Sequence, residues 1–163
     1  SWSRVSEFPI PENAHMLSYD EPHIVETQNN QIVVLFRDCN PPNRLIQSES
    51  SDGGRTWSKP HPTQIHGYPA HLLRLKNGWI LATYGRRWEP FGQFASISKN
   101  QCKTWLVEDE VRLSKALNGD LGYPASTQLP DGSIWTVYYE IDQSGEKPSL
   151  MGTHWSLLRT SNE

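Results

Sequence analysis

The sequence predicts an all-β fold made of repeated four-stranded antiparallel units, on three observations. A corner of the form Ser-x-Asp/Asn-x-Gly/Cys-x-Thr-Trp occurs twice, as Ser50-Ser51-Asp52-Gly53-Gly54-Arg55-Thr56-Trp57 and as Ser98-Lys99-Asn100-Gln101-Cys102-Lys103-Thr104-Trp105. The tryptophans at 2, 57 and 105 stand 55 and 48 residues apart, and a recurrence of that length marks a propeller blade or a solenoid turn. Seven Trp, six Tyr, eleven Gly and twelve Pro in 163 residues favour short strands and tight turns over long helices.

Within each corner every residue type has a local task. Ser and Asp side chains bond nearby backbone groups, Gly takes a positive φ, and the Trp ring covers the corner from inside. The second copy puts Asn100 in place of Asp and Cys102 in place of Gly. A non-Gly residue in the left-handed region costs about 1–2 kcal/mol, so that corner is expected to be strained or re-formed.

Between corners the chain repeats a strand, a turn and a strand. The pairs are Glu21 to Glu26 with Gln31 to Arg37, Tyr68 to Leu75 with Trp79 to Tyr84, and Tyr123 to Leu129 with Ser133 to Tyr139. Their turns fall at Asn29-Asn30, Asn77-Gly78 and Asp131-Gly132. The last two predict two-residue type I′ hairpins, in which both central residues have φ > 0. A third strand follows near Leu45 to Glu49, Phe94 to Ser98 and Leu150 to Trp155, and leads to a corner in the first two units only. The expected units are 15–66, 67–119 and 120–163, with 1–14 as the tail of a preceding one. Ser1-Trp2-Ser3 reads as the end of a corner that begins upstream.

An antiparallel meander puts the corners at one end of each sheet and the strand heads at the other. The strand-head end then collects Asp20, Glu21, Tyr68, Asp120 and Tyr123 with Arg37, Asp38, Arg86, Arg87, Tyr139 and Glu140. Acids, arginines and tyrosines gathered at one mouth suit a polar ligand. Arg86 and Arg87 are adjacent, so on a strand they point to opposite faces and at most one serves the mouth.

Net charge is −3 with a fifth of the residues charged, and no basic patch suggests nucleic acid or an anionic membrane as partner. No apolar run approaches the roughly 20 residues that span a bilayer. Cys39 and Cys102 are too few for a disulfide framework. His61, His66 and His71 recur every five residues, a spacing that fits neither a helix face nor one side of a strand, so no metal site is expected. No cofactor-binding signature is present.

These motifs resemble the sialidase superfamily, whose Asp-box corners decorate a six-bladed β-propeller, and the chain looks like the C-terminal half of such a ring. Glu21-Pro22-His23-Ile24-Val25-Glu26 through Phe36-Arg37 resembles the family segment that supplies a glutamate and one arginine of a carboxylate clamp. Tyr123-Pro124-Ala125-Ser126 through Tyr138-Tyr139-Glu140 resembles the segment that carries the nucleophilic tyrosine. The resemblance implies Tyr123 and Glu21 as catalytic residues and Arg37 as substrate-binding. Arg86, Arg87, Asp120, Tyr68 and Trp88 complete the expected substrate-binding set. Glu21 has a second reading, as a strand-head acid that pairs with Arg37. Tyr123 has one too, packing on Tyr68. Trp88 lies outside the tryptophan periodicity and reads either as a sugar-stacking ring or as a plain loop aromatic.

The chemistry suits those residue types. A phenol with an unperturbed pKa near 10 attacks poorly until a carboxylate can take its proton, and sialidases are the known Tyr-nucleophile exception among glycosidases. The family's third arginine is expected where Gln93 stands. Its first arginine and aspartate acid/base belong to the N-terminal half. The expected partners are therefore a carbohydrate ligand and either that half or a second copy of the chain to close the ring. A binding module that holds a glycan without cleaving it is the alternative. The resemblance also suggests a secreted or periplasmic parent.

Overall fold

A computed structural model describes residues 1, 3–12, 14 and 18–157. Trp2, on which the expected corner end at Ser1-Trp2-Ser3 rests, and the polar tail from Arg159 lie outside the described residues. Among the described residues, eleven strands form three antiparallel sheets. The first contains β1 (Ser18–Glu26), β2 (Ile32–Asp38), β3 (Arg44–Ser50) and β4 (His61–His66), in that order. The second contains β5 (Ala70–Arg74), β6 (Ile80–Arg86), β7 (Gly92–Ser98) and β8 (Val111–Arg112). The third has β9 (Leu121–Gln128), β10 (Ile134–Glu140) and β11 (Ser149–Trp155). The only helical element among the described residues is a 3₁₀ turn at Val107–Asp109.

The sheets stack face to face as propeller blades, with β1, β5 and β9 side by side at the inner edge. Val33, Leu35, Leu45 and Ile65 of the first sheet pack on Leu72, Ala82, Tyr84 and Phe94 of the second, with Trp105 sealing the cluster. Leu81 and Ala95 meet Ile134 of the third sheet in a second cluster. The other face of the first sheet, Val34, Phe36 and Ile46, is covered by Phe8, Tyr19 and Trp57. The other face of the third sheet leaves Trp135 at 41%, Val137 at 53% and Leu150 at 90% exposure. One flank is capped and the other is open.

The first hairpin of each sheet uses the same loop, and at Asn77-Gly78 and Asp131-Gly132 it differs from the type I′ expectation. Thr27 N–H donates to the Gln31 carbonyl, Leu75 N–H to Trp79 and Leu129 N–H to Ser133, each at 2.8 Å. Inside each loop Asn30, Gly78 and Gly132 donate back to Thr27, Leu75 and Leu129. Only the third loop residue is left-handed, with φ of 58°, 83° and 91° at Asn30, Gly78 and Gly132. This is the three-residue loop with a left-handed bulge. The Asn77 and Asp131 side chains instead accept the Trp79 and Ser133 N–H groups at 3.1 and 2.9 Å.

The second corner keeps the geometry of the first despite its substitutions. Ser50 Oγ accepts the Gly54 N–H at 2.9 Å, and Ser98 Oγ accepts the Cys102 N–H at 2.9 Å. Asp52 Oδ1 accepts the Thr56 N–H and Asn100 Oδ1 the Thr104 N–H, at 2.9 and 3.0 Å. Gln101 and Cys102 adopt φ of 61° and 64° where Gly53 and Gly54 have 74° and 83°. The corner is strained rather than re-formed. Cys102 is buried at 1% exposure and its carbonyl accepts Gln47 Nε2 at 2.9 Å, tying the corner to the preceding sheet.

Candidate active site

Glu21 and Tyr123 reach the mouth through the same local device. On β1, residues 20 and 23 pair with residues 37 and 35 of β2, so β1 carries an extra residue at Glu21-Pro22. On β9, residues 122 and 125 pair with residues 139 and 137 of β10, so the extra residue falls at Tyr123-Pro124. Both bulged residues are left-handed, with φ of 47° at Glu21 and 50° at Tyr123. Holding two non-Gly residues there costs about 1–2 kcal/mol each. Bulges of this kind re-aim a side chain off the sheet, and here they aim two side chains at one another.

The Tyr123 hydroxyl donates to Glu21 Oε1. Arg37 Nη1 donates to Glu21 Oε2 at 2.8 Å. Both oxygens of the carboxylate are thus held, one by a phenol and one by a guanidinium. The phenol's pKa is raised, first by its hydrogen bond to Glu21, then by partial burial and the Glu21 charge. Tyr123 is 54% exposed, so it stands at the surface of the mouth.

Arg37 is itself held on three sides. Its Nε donates to Cys39 Sγ at 2.9 Å, and its guanidinium carbon lies 4.4 Å from the centre of the Tyr68 ring. Burial works against its charge, yet the bonds to Glu21 and Cys39 outweigh that and hold it protonated. The Tyr68 phenol is raised by burial and by the adjacent Cys39. Its ring also packs against Trp88 at 5.7 Å between centroids. Both Glu21 and Tyr68 therefore meet Arg37, whereas Trp88 reaches the group only through Tyr68.

The arginine pair divides as strand alternation requires. Arg87 turns to the mouth: its guanidinium carbon is 5.9 Å from the Tyr123 ring centre, and its Nη2 reaches the Tyr139 hydroxyl at 3.4 Å. Arg87 Nε is buried with no hydrogen-bond partner among the described residues. The Tyr139 ring stacks on Tyr123 at 6.0 Å, and burial followed by the Arg87 and Asp120 charges acts on its phenol, which ends above its ordinary pKa. Arg86 faces away. Its Nη2 spans both Glu110 oxygens at 2.8 and 2.9 Å, and its guanidinium lies 4.0 Å over the Phe94 ring. Glu110 also accepts the buried Tyr84 hydroxyl. Arg86 is a packing residue in this geometry.

Gln93 does not reach the mouth. Its side chain is fully buried and neither amide atom is bonded among the described residues. Glu140, at a strand end, is likewise buried, accepting Ser114 Oγ at 2.5 Å, and burial raises its carboxyl. The three histidines of five-residue spacing disperse: His61 meets Glu49, His66 meets Pro42 and Arg44, and His71 lies at the inner edge.

The register places the corners at the opposite end. Asp20 pairs with Arg37 at the mouth, whereas Ser50 pairs with Ile32 where the hairpin loop turns. Radially stacked sheets with Ser/Asp corners on one end and an acid–phenol–guanidinium group on the other define a propeller of the Asp-corner class. The chain belongs to the BNR repeat-like domain family, whose model matches residues 4–136. Comparison with curated protein sequences found no match.

Among solved structures, the chain is similar to a protein of unknown function from Dyadobacter fermentans, with 26% identity and a TM-score of 0.79 over 89% of this chain and 40% of that one. It is also similar to an alpha-L-arabinanase of Penicillium chrysogenum complexed with arabinobiose, with 16% identity and a TM-score of 0.72 over 93% and 50% of the two chains. An intramolecular trans-sialidase from Ruminococcus gnavus shares the fold at 22% identity and a TM-score of 0.59, over 84% and 32%. The chain spans half or less of the length of each.

Proposed function

We propose that the chain forms half of a carbohydrate-active propeller, and that the whole ring is a sialidase-like glycoside hydrolase with Tyr123 as nucleophile and Glu21 as its base. The observation that carries this reading is the bond from the Tyr123 hydroxyl on the third sheet to Glu21 Oε1 on the first, made by two strained bulges. A phenol already hydrogen-bonded to a carboxylate can pass its proton there, with no further movement, as it attacks. The same carboxylate can return that proton when the phenol leaves. Arg37 holds the Glu21 carboxylate in place, and Arg87 offers the mouth a second positive charge. Two arginines beside the nucleophile favour a ligand with an acidic group. Asp120, Tyr68 and Trp88 shape the rim around them. The three sheets are taken as successive blades of the ring, and the open flank of the third is where its remainder packs.

The test is hydrolysis of methylumbelliferyl N-acetylneuraminate and of nitrophenyl α-L-arabinofuranoside by the completed propeller. Tyr123→Phe is expected to lower kcat by about 10³-fold or more with KM little changed. Turnover that survives the substitution removes Tyr123 from the chemistry. A second reading, a propeller that binds an acidic glycan without cleaving it, draws on Gln93, which is buried where the resemblance expects an arginine. It predicts retention on acidic glycans and no hydrolysis of either substrate.

A further inference from the structure

Just inside the mouth, at the inner edge of the sheets, His23 of β1 and His71 of β5 form a pair with ring centroids 4.3 Å apart. They line an open hollow of about 420 Å³ whose other walls include Pro22, Pro69, Pro124 and Ala125. Glu21 and Tyr123 stand on its rim. Each ring does the same thing to the next blade. Leu72 N–H of β5 donates to His23 Nδ1 at 3.0 Å, and Ser126 N–H of β9 donates to His71 Nδ1 at 3.4 Å. The inner strand of a blade is a sheet edge with unpaired backbone groups, and each imidazole caps one of them.

That contact fixes the tautomer. A ring nitrogen that accepts a backbone N–H carries no proton, so in the neutral imidazole the proton sits on Nε2. Neither Nε2 makes a hydrogen bond among the described residues. The hollow therefore has a wall of proline and alanine and two neutral N–H donors. A metal ion is a poor occupant, because one nitrogen of each ring is engaged with backbone and the other is protonated. An anion is also a poor one, since neither donor carries a charge.

We propose that this hollow is a carbohydrate subsite in which His23 and His71 donate through Nε2 to hydroxyl oxygens of an uncharged part of the sugar, its C–H face lying on the prolines. The inference rests on the carbohydrate reading above and adds to it two specificity-determining residues outside the acid–phenol–arginine group. Burial supports it by lowering the pKa of both rings, His71 to about 4 with a further contribution from His23, which keeps them neutral at pH 7.

The experiment uses the ¹⁵N-labelled 163-residue chain at pH 7 and arabinobiose, a neutral disaccharide, as probe. Long-range nitrogen–proton correlations are expected to show the Nε2–H tautomer in both rings, and arabinobiose is expected to shift both Nε2 signals together with the Tyr123 ring. His23→Asn retains an acceptor for Leu72 N–H in its Oδ1 while withdrawing the ring donor, and is expected to weaken binding about 3- to 10-fold. An Nδ1–H tautomer in either ring overturns the proposal without any variant. Shifts confined to Tyr123 overturn it while leaving the mouth intact, and no shift anywhere overturns it too. The hydrolytic role of Tyr123 is decided separately by the Tyr123→Phe assay.

Discussion

At the corner end of the first sheet, Asp52 takes its hydrogen bonds from Ser50, Arg55 and Thr56, all within four residues of it. At the mouth end, Glu21 takes one from Arg37, sixteen residues away, and one from Tyr123, 102 residues away. The first arrangement forms as the turn forms. The second exists only after all three sheets have packed and two bulges have set. Shape in this molecule is written locally and chemistry non-locally, so substitutions at the two ends should differ in kind: corner changes alter stability alone, whereas mouth changes alter function, with or without a cost in stability.

The largest effect should come from the carboxylate. Glu21→Gln keeps the size of the side chain but removes the proton acceptor, and should lower hydrolysis by the completed ring about 10²- to 10⁴-fold with little change in melting temperature. Gly122→Ala comes next. Gly122 has φ of 148°, and a Cβ there would lie 2.9 Å from Arg87 Nη2. The substitution should displace Arg87 from Tyr123, weaken binding of an acidic sugar and destabilise the fold by about 1–3 kcal/mol. Calorimetry and denaturant unfolding check the two parts.

At the corners, Gly54→Ala has room, since its Cβ would meet Trp57 at 3.6 Å, but φ of 83° is unfavourable. It should cost about 1–2 kcal/mol in denaturant unfolding and leave binding unchanged. Cys102→Gly relieves the same strain in the other corner while giving up a buried thiol. Its net change should stay within about 1 kcal/mol.

The smallest effect is a pH dependence that separates the ends. His71 has a folded pKa of about 4 against an ordinary 6.5, so its contribution is full above 6.5 and is lost as pH falls towards 4. With its partial exposure discounted, this amounts to about 1 kcal/mol. Asp52 lies below the usual carboxylate range because of its bonds to Thr56 and Ser50. Its contribution is present above the unfolded carboxylate pKa and is lost only as pH falls through the lower folded value. Acid should therefore release the inner-edge contact of His71 before the corner. An NMR pH titration in which Thr56 N–H broadens before Ser126 N–H would reverse that order.

What could be read from the sequence follows the same division. The corners, hairpin positions and opposed ends were legible because each rests on neighbours or on period-two alternation. The division of Arg86 from Arg87 was half legible: alternation gave opposite faces, and only Glu110 and Tyr139 decide which face is which. The hairpin type does not follow from the sequence, because Asn77-Gly78 and Asp131-Gly132 serve a three-residue loop as readily as a two-residue one. The bulges left only a trace, a proline after each bulged residue, which also follows Tyr68, where φ is not left-handed. Cys39, two residues beyond Arg37 on the same face, could have been found by alternation. The His23–His71 pair is hidden in the sequence because the regular spacing of His71 is with His61 and His66 along the chain, whereas its partner stands at the strand head of the preceding unit.

The mouth rests on one hydrogen bond, from the Tyr123 hydroxyl on the third sheet to Glu21 on the first. Its most direct test is titration of the Tyr123 phenol by ¹³C-tyrosine NMR, assigned with Tyr123→Phe, in the unsubstituted chain and in Glu21→Gln. The phenol pKa is expected above 10 in the unsubstituted chain and to fall towards 10 once the carboxylate is gone. An identical pKa in the two proteins would contradict it.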